Sequence, residues 1–315
     1  MSYPGLLTRG EFATGLLTRS IKINGNYLLV DECNINQTQN IDVTEPYIQG
    51  GPGSAIYDIN SKKITGSLSF PIRVDQYNNL EEATKIILNH AQNPTTALSM
   101  DTNHILIHEN LTAENHATDN NQLIKLDTMI ITSLSISCSQ NSSVDISCNF
   151  EGMIDNYNAS DYAVPNPDAI LGRALSWGDC NAFRSESSMR TVTQFKINIT
   201  NNVESQAFLL PYFSDQETVR SDQISFIGIK SVKWDGSITE LLRSGMELNT
   251  FIHGGLMKDE NLTFEIGPIT VFFVNPLFKI AQLPLNSSVL TRTTEWTGIV
   301  KPRDPMLSNK LFIFD

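Results

Sequence analysis

Residues 131–152 constrain the fold of this chain more than any other stretch, because apolar and polar residues alternate there on both sides of a short break. The break, residues 140–142, has the sequence Gln-Asn-Ser, which is typical of a turn. A period of two indicates β-strands with one buried face. We therefore predict an antiparallel hairpin. Its apolar residues are Leu134, Ile136 and Cys138 in the first strand and Val144, Ile146, Cys148 and Phe150 in the second.

A three-residue loop sets the register of this hairpin, and in that register each facing pair on the apolar side matches. The predicted pairs are Cys138 with Val144, Ile136 with Ile146, and Leu134 with Cys148. Cys138 and Cys148 then lie about 13 Å apart along the strands, which is too far for a disulfide. We expect free thiols in a reducing cytoplasm.

The other face of the hairpin carries small hydroxyls, one amide and two carboxylates. Between residues 126 and 172 the chain has six acids and no Lys, Arg or His. Such a face has to be solvated, and it repels phosphate groups instead of binding them. Its residues are Ser133, Ser135, Ser137, Asp145, Ser147, Asn149 and Glu151.

The charge of the whole chain narrows the possible functions. The 315 residues carry a net charge of −12, which argues against a protein that grips nucleic acid through clustered Lys and Arg. The sequence contains no apolar run as long as a membrane span, and residues 1–5 do not resemble the start of a signal peptide. We therefore expect no membrane partner.

The remaining periodicity predicts a mainly β fold of two tandem β-barrel or β-sandwich domains, each with one short α-helix. In the first domain, Asn79 and Glu82 form a capping box for a helix that follows Asn79. In the second, Ser237 and Glu240 form a capping box for a helix over residues 238–246. The predicted divisions are an N-terminal arm at 1–20, a first β domain at 21–155, a linker at 156–190 and a second β domain at 191–315.

Three short matches suggest that the two domains are copies of each other. Asn-Ser-Ser-Val at residues 141–144 recurs at 286–289, and Phe-Glu-Gly at 150–152 resembles Trp-Thr-Gly at 296–298. Lys-Ile-Asn occurs at 22–24 and again at 196–198. The matches occur in the same order in both halves, and this order predicts a duplication.

No set of residues has the composition of a catalytic or cofactor site. His104, His108 and His116 could bind zinc, but no Cys or carboxylate completes the spacing. The glycines at residues 50–53 are not followed by the Lys-Ser/Thr of a phosphate-binding loop. We therefore predict no catalytic residue, no metal and no cofactor. Long Gly/Pro loops usually have a function, so we predict that subunits contact one another through Gln49, Gly50, Gly51, Pro52 and Gly53.

The pattern resembles the tail tube proteins of contractile-tailed bacteriophages. The resemblance is carried by residues 64–74 with the helix at 80–92, by the hairpin at 131–152, and by their counterparts at 223–246 and 285–298. It implies a structural virion protein without catalytic residues, located in the tail and, during assembly, in the host cytoplasm. It also implies homo-oligomeric stacked rings, hexameric or trimeric and pseudo-hexameric, around a channel for viral DNA, with tail sheath and baseplate proteins as further partners.

In such a tube we expect the polar residues of the hairpin, and their counterparts at residues 291–295, to face the lumen, where DNA passes without specific binding. Arg292 is the exception in the second copy. The alternatives are a baseplate or tail-terminator component of the same tail, and a carbohydrate-binding β-sandwich module of a phage fibre. A sugar-binding groove needs exposed Trp and Tyr beside Asp and Asn, and the sequence shows no such cluster.

Overall fold

The computed structural model describes residues 13–44, 47–48, 51–52, 56–94, 97–108, 121–155, 172–184, 187–189, 191–208, 223–241, 262–273, 276–282, 291–299 and 312–314. Within these ranges the protein is mainly β, with one α-helix. No helix in the described part is long and apolar enough to cross a membrane.

The first half contains ten strands and the helix. In chain order they are β1 (Ala13–Ile23), β2 (Asn26–Leu28), β3 (Glu32–Thr44), β4 (Tyr47–Ile48), β5 (Gly51–Pro52), β6 (Ile56–Pro71), β7 (Arg73–Val74), α1 (Glu82–Gln92), β8 (Leu98–His108), β9 (Asn121–Ser139) and β10 (Asp145–Asp155).

The second half contributes ten described strands and a short 3-10 helix, Trp177–Asp179. The strands are β11 (Arg173–Ala174), β12 (Cys180–Arg184), β13 (Ser187–Ser188), β14 (Val192–Phe208), β15 (Gln223–Leu241), β16 (Leu262–Ile266), β17 (Ile269–Phe273), β18 (Leu277–Gln282), β19 (Thr291–Ile299) and β20 (Phe312–Phe314).

Eight strands form a continuous antiparallel path, which we call the central sheet, in the order β18-β19-β15-β14-β9-β10-β6-β3. Strand β8 also pairs with β9, and it connects the central sheet to β1 and β2. A second sheet has the order β13-β12-β16-β17-β20. Two small pairs, β11 with β7 and β4 with β5, complete the described pairing.

The predicted hairpin is confirmed as β9 and β10. Ile136 pairs with Ile146, and Leu134 pairs with Cys148, as predicted. The third predicted pair does not form, because the amide of Val144 donates to the carbonyl of Leu175 at 2.9 Å. The turn therefore spans residues 140–144 instead of 140–142. All seven predicted apolar residues are buried, and none is more than 3% exposed.

The central sheet consists of two sets of four strands with the same chain order. We call β3, β6, β10 and β9 the first quartet and β14, β15, β19 and β18 the second quartet. If the four strands of a quartet are numbered along the chain, their order in the sheet is 1-2-4-3 in both quartets. The quartets meet where β9 pairs with β14.

Details of the pairing also recur between the quartets. Gly66 of β6 pairs with Phe150 of β10, and Gly236 of β15 pairs with Trp296 of β19. Beside each aromatic residue, the third strand has a one-residue bulge, between Ile131 and Ser133 in β9 and between Phe278 and Ala281 in β18. The predicted match between residues 22–24 and 196–198 is wrong in position, because Lys22 and Ile23 lie in β1 and Asn24 lies in the turn after it, outside the central sheet. The segment of the first quartet equivalent to residues 196–198 is residues 34–36, because the middle residue of each segment pairs with the glycine of its quartet.

One face of the central sheet is buried, and different elements pack on different parts of it. Helix α1 contacts β9 and β14, where the quartets meet, together with β1, β2 and β20, and its apolar stripe of Ala83, Ile87 and Ala91 is buried. Over the second quartet, aromatic rings of the second sheet pack against two tryptophans. Trp296 lies 4.2 Å from Phe273 between ring centroids, and Trp234 lies 6.1 Å from Phe312. Leu80, which precedes the helix and forms a β-bridge with Val74, is buried as well.

The predicted second helix is wrong where the structure describes it. Residues 238–241 continue β15, and Asp235-Gly236 lies inside that strand rather than in a turn. Trp234, Gly236, Ile238 and Glu240 are buried, and the residues between them are partly exposed. This period of two competes with the capping-box motif, and pairing with β14 and β19 on both sides stabilises the strand. Residues 242–246 lie outside the described part.

The boundaries at the N-terminus and in the linker also differ from the prediction. Strand β1 begins at Ala13, so residues 13–20 of the predicted arm belong to a strand that pairs with β8. After β1 the chain turns through Asn24 and Gly25, which both have positive φ, 47° and 80°, as in a two-residue hairpin. The predicted linker is partly structured, since residues 172–184 form β11, the 3-10 helix and β12.

Asn79 does not cap α1, which begins at Glu82 with Glu81 as its N-cap and without a side-chain cap. Asn79 instead donates to Asp75 from its backbone amide and its side chain, at 2.8 and 2.9 Å. Burial raises the pKa of the Glu81 carboxyl to about 7, although a hydrogen bond from Thr84 and the charge of Arg73 act in the opposite direction. Desolvation of the carboxylate thus outweighs both of these contacts.

Glu81 is expected to make the stability of the protein depend on pH. The folded carboxyl has a pKa near 7 and the unfolded one near 4.5, so the folded state binds the proton more tightly and stability falls as pH rises between these values. Glu81→Gln should remove this fall and, because Glu81 is partly exposed, stabilise the protein at pH 8 by on the order of 1 kcal/mol. Urea unfolding from pH 4 to 8 measures it. Exposed Glu82→Gln is the control, and equal pH dependence in Glu81→Gln and the wild type would contradict the expectation.

Candidate functional site

The candidate site is the face of the central sheet opposite the core, which we call the polar face. The pairing places polar residues in rows that cross seven strands from β3 to β19. The middle row is Glu32, Ser69, Ser147, Ser135, Asn198, Asp235 and Thr297. The next row is Asn34, Ser67, Asn149, Ser133, Thr200 and Lys233.

The seven hairpin residues predicted for the solvated face all alternate with buried residues. Ser147 and Asn149 are exposed, and the other five are partly exposed. The structure therefore brings these residues together on one open surface. That this surface faces the lumen of a tube stays a prediction. The five partly exposed residues are Ser133, Ser135, Ser137, Asp145 and Glu151.

Short hydrogen bonds between neighbouring strands hold the side chains of the polar face. Asn149 donates to the hydroxyl of Ser133 at 2.8 Å, and Asn198 donates to Asp235 at 2.8 Å. The hydroxyls of Thr239 and Thr293 lie 3.0 Å apart. Cross-strand pairs of this kind stabilise a sheet. Polar groups that bond to one another in this way are less available to a ligand. This arrangement favours a surface that binds other molecules weakly.

The polar face is acidic but not free of bases. Five of its described residues are acids, and two are lysines. Lys233 is neutralised locally, because its ammonium lies 2.9 Å from the carboxylate of Asp235, while Lys196 is exposed beside Ser137 and Ser237. The acids are Glu32, Asp145, Glu151, Asp235 and Glu295.

The structure accounts for Arg292, the exception at residues 291–295. Arg292 lies on the buried side of β19, paired with Glu240 of β15, and its guanidinium is 2.7 Å from that carboxylate. The two side chains are only 15% and 10% exposed. Thr293 and Glu295 lie on the polar face, so only alternate residues of the predicted segment belong to it.

The predicted contact loop connects β3 and β6, which form one long hairpin. Ile48 pairs with Gly51, and Tyr47 pairs with Pro52, so the loop contains a small hairpin of its own. Gln49, Gly50 and Gly53 lie outside the described residues. The side chains of His104 and His108 and all of His116 also lie outside them. Among the described residues no group of three His, Cys, Asp or Glu could hold a metal ion.

Sequence reasoning missed the residues that β14 and β15 add to the polar face, above all Lys196, Asn198 and Lys233. The alternation that could have identified them is present at residues 194–200, where Phe195, Ile197 and Ile199 are buried. The pairing of β14 with β9 is decided by tertiary structure, however, and no local pattern encodes it. No protein-family model matches this chain, and a search of curated proteins finds no match either.

Proposed function

We propose that this chain is the repeating subunit of a hollow tube of stacked rings, the inner tail tube of a contractile-tailed bacteriophage. The proposal rests on the central sheet, in which two quartets with the same strand order follow each other edge to edge. The recurring glycine–aromatic pair and bulge support a further proposal, that the quartets belong to two copies of one β domain.

The outer edges of the central sheet favour assembly with a second copy of the chain. Inside the chain, the third strand of the first quartet, β9, pairs with the first strand of the second quartet, β14. The same order leaves β3, a first strand, and β18, a third strand, at the outer edges. A long unpaired edge promotes uncontrolled association. Pairing β18 of one copy with β3 of the next would repeat the internal junction and remove both edges.

Head-to-tail contacts of this kind close into a ring when the rotation between subunits allows it. Because each chain supplies two quartets, three chains would imitate a ring of six single-domain subunits. The polar face would then line the channel. Its acids repel phosphates, and its neutral hydroxyls offer DNA no ion pairs to break, which suits passage without specific binding.

The register of the internal junction predicts which residues meet between copies. Ser135 of β9 pairs with Asn198 of β14. The equivalent of Ser135 is Gln282, because each pairs with the residue three positions before the aromatic residue of its quartet. The equivalent of Asn198 is Asn36, because each follows the residue that pairs with the quartet's glycine. We therefore expect Gln282 to face Asn36 of the next copy.

A cysteine pair tests this arrangement. In a Cys33→Ser background, Asn36→Cys combined with Gln282→Cys should form disulfides between chains, and at saturation most of the protein should run as a closed oligomer without reductant. Asn36→Cys combined with Ala281→Cys, one residue out of register, is the matched control and should form at least tenfold less. Equal cross-linking of the two variants, or none, would overturn the predicted junction.

Electron microscopy of the uncross-linked protein tests the tube itself. Long tubes with Asp145 and Glu151 on the channel wall would support the proposal. Short rings that do not stack would favour a tail-terminator or baseplate component instead. Monomers at high concentration, or tubes with both carboxylates on the outer surface, would contradict it.

A further inference from the structure

The four cysteines of the chain are free thiols, and two of them are neighbours. Cys138 lies at the end of β9 in the central sheet, and Cys180 is the first residue of β12 in the second sheet. Their side chains lie against the same backbone contact, since the thiol of Cys138 is 3.8 Å from the carbonyl oxygen of Ser142 and the thiol of Cys180 is 3.5 Å from the carbonyl oxygen of Ser176. The pair therefore lies where the two sheets meet, 42 residues apart in the sequence (180 − 138 = 42).

Backbone hydrogen bonds hold the two thiols in place. The amide of Trp177 donates to the carbonyl of Ser142 at 3.0 Å, and the amide of Val144 donates to the carbonyl of Leu175 at 2.9 Å. A β-bridge joins Ser143 to Ser176 between these bonds. The turn after β9 is thus bound to the segment before β12, and the contact between the thiols does not depend on mobile side chains alone.

The two thiols differ in exposure and in acidity. Cys138 is buried, 3% exposed, and Cys180 is partly exposed. The neighbouring Cys180 thiol lowers the pKa of Cys138, while the neighbouring Cys138 thiol and burial raise the pKa of Cys180. Burial also raises the pKa of Cys33 and of Cys148 to about 12 each. Because the thiolate is the reactive form, Cys138 is the best nucleophile of the four.

We propose that Cys138 and Cys180 are an oxidisable pair whose disulfide links the central sheet to the second sheet. The oxidant is a small disulfide such as oxidised glutathione. Access, not acidity, decides the first step: the oxidant reaches the partly exposed Cys180, which loses its proton to solvent and attacks one sulfur of the oxidant, and the other half leaves as a thiolate. The Cys138 thiolate then attacks the sulfur of Cys180 and releases the second half. Two protein thiols lose two electrons and two protons, and the small disulfide is reduced to two thiols.

The test is thiol counting and peptide mapping after incubation with oxidised glutathione at pH 8. Under denaturing conditions the free thiols per chain should fall from the four of the reduced protein to two, and one cross-linked peptide should join Cys138 to Cys180. The oxidised protein should also melt several degrees higher, because the new bond restricts the unfolded chain. Reduction with dithiothreitol should reverse both changes.

Two variants keep the test decisive. Cys33→Ala with Cys148→Ala retains the pair and should lose all its free thiols on oxidation. Cys138→Ala should form no internal disulfide, hold glutathione on Cys180 as a mixed disulfide, and show no rise in melting temperature. A cross-link between other cysteines, or four free thiols after prolonged oxidation of the wild type, would overturn the proposal.

Discussion

Gly236→Ala is expected to destabilise the protein by about 3 kcal/mol or more, because the new methyl group has no space. A Cβ at this position would lie 2.2 Å from Cζ2 of Trp296 and 2.3 Å from the carbonyl oxygen of Lys196. The indole cannot move aside, since it packs against Phe273 at 4.2 Å. The carbonyl belongs to β14, which pairs with β15 along its length. A urea titration at neutral pH would measure the loss as a lower midpoint.

Gly178→Ala is the matched control for this substitution. Gly178 is exposed, and a Cβ there would meet only the hydroxyl of Ser176 at 3.7 Å, so the change should stay within about 0.5 kcal/mol. Gly66→Ala should behave like Gly236→Ala, because its Cβ would lie 2.3 Å from Phe150 and 2.4 Å from the carbonyl of Asn34. An unchanged urea midpoint in both glycine variants would show that the rings do not close over these positions.

Replacing Asn201 should have a comparable effect, because this residue joins three elements inside the core. Asn201 is 4% exposed, and its side-chain amide donates to the carbonyls of Ala91 in α1 and Ile131 in β9, each at 3.0 Å. The ladder between β9 and β14 ends one residue earlier, at Thr200. Asn201→Leu would remove the side-chain amide that donates to these two carbonyls, and we expect a loss of about 2–4 kcal/mol.

Asn201→Asp separates the hydrogen bonds from packing. A carboxylate facing two carbonyls lacks donors, and burial raises its pKa above the unfolded value. The folded state then binds the proton more tightly, so the destabilisation is smallest at low pH and grows as pH rises through the folded pKa. Thermal unfolding from pH 4 to 8 would detect this trend. Exposed Asn36→Asp serves as the control, and a pH-independent loss in Asn201→Asp would contradict the role of the amide.

The local sequence pattern was sufficient to predict the structure of a segment where the burial of one apolar face dominates. Strict alternation identified β9 and β10 and their register, because a slip of one residue would move every apolar side chain into water. The motif of Asn79 and Glu82 located the helix, and in the structure Ala83, Ile87 and Ala91, spaced by four residues, lie on its buried side. The helix cap was misplaced by two residues, because Asp75 provides Asn79 with better partners than the helix end does.

Local pattern failed where a residue depends on a distant part of the chain. Ser237 and Glu240 satisfy a helix-capping motif, yet they lie in a strand because β14 and β19 pair on both sides of it. Asp235-Gly236 resembles a turn, yet Gly236 is a glycine at a position where the Trp296 ring covers the backbone.

By itself, the sequence determined that this chain forms antiparallel strands with one apolar face and one acidic, hydroxyl-rich face, since alternation is a property of neighbouring residues. Only the tertiary structure decided that β9 lies beside β14, that two quartets form one sheet, and that Lys196 and Lys233 join its polar face. The physical reason is that backbone hydrogen bonds between strands are nearly independent of side-chain identity. Which strands become neighbours is therefore decided by how all the apolar faces can be buried together.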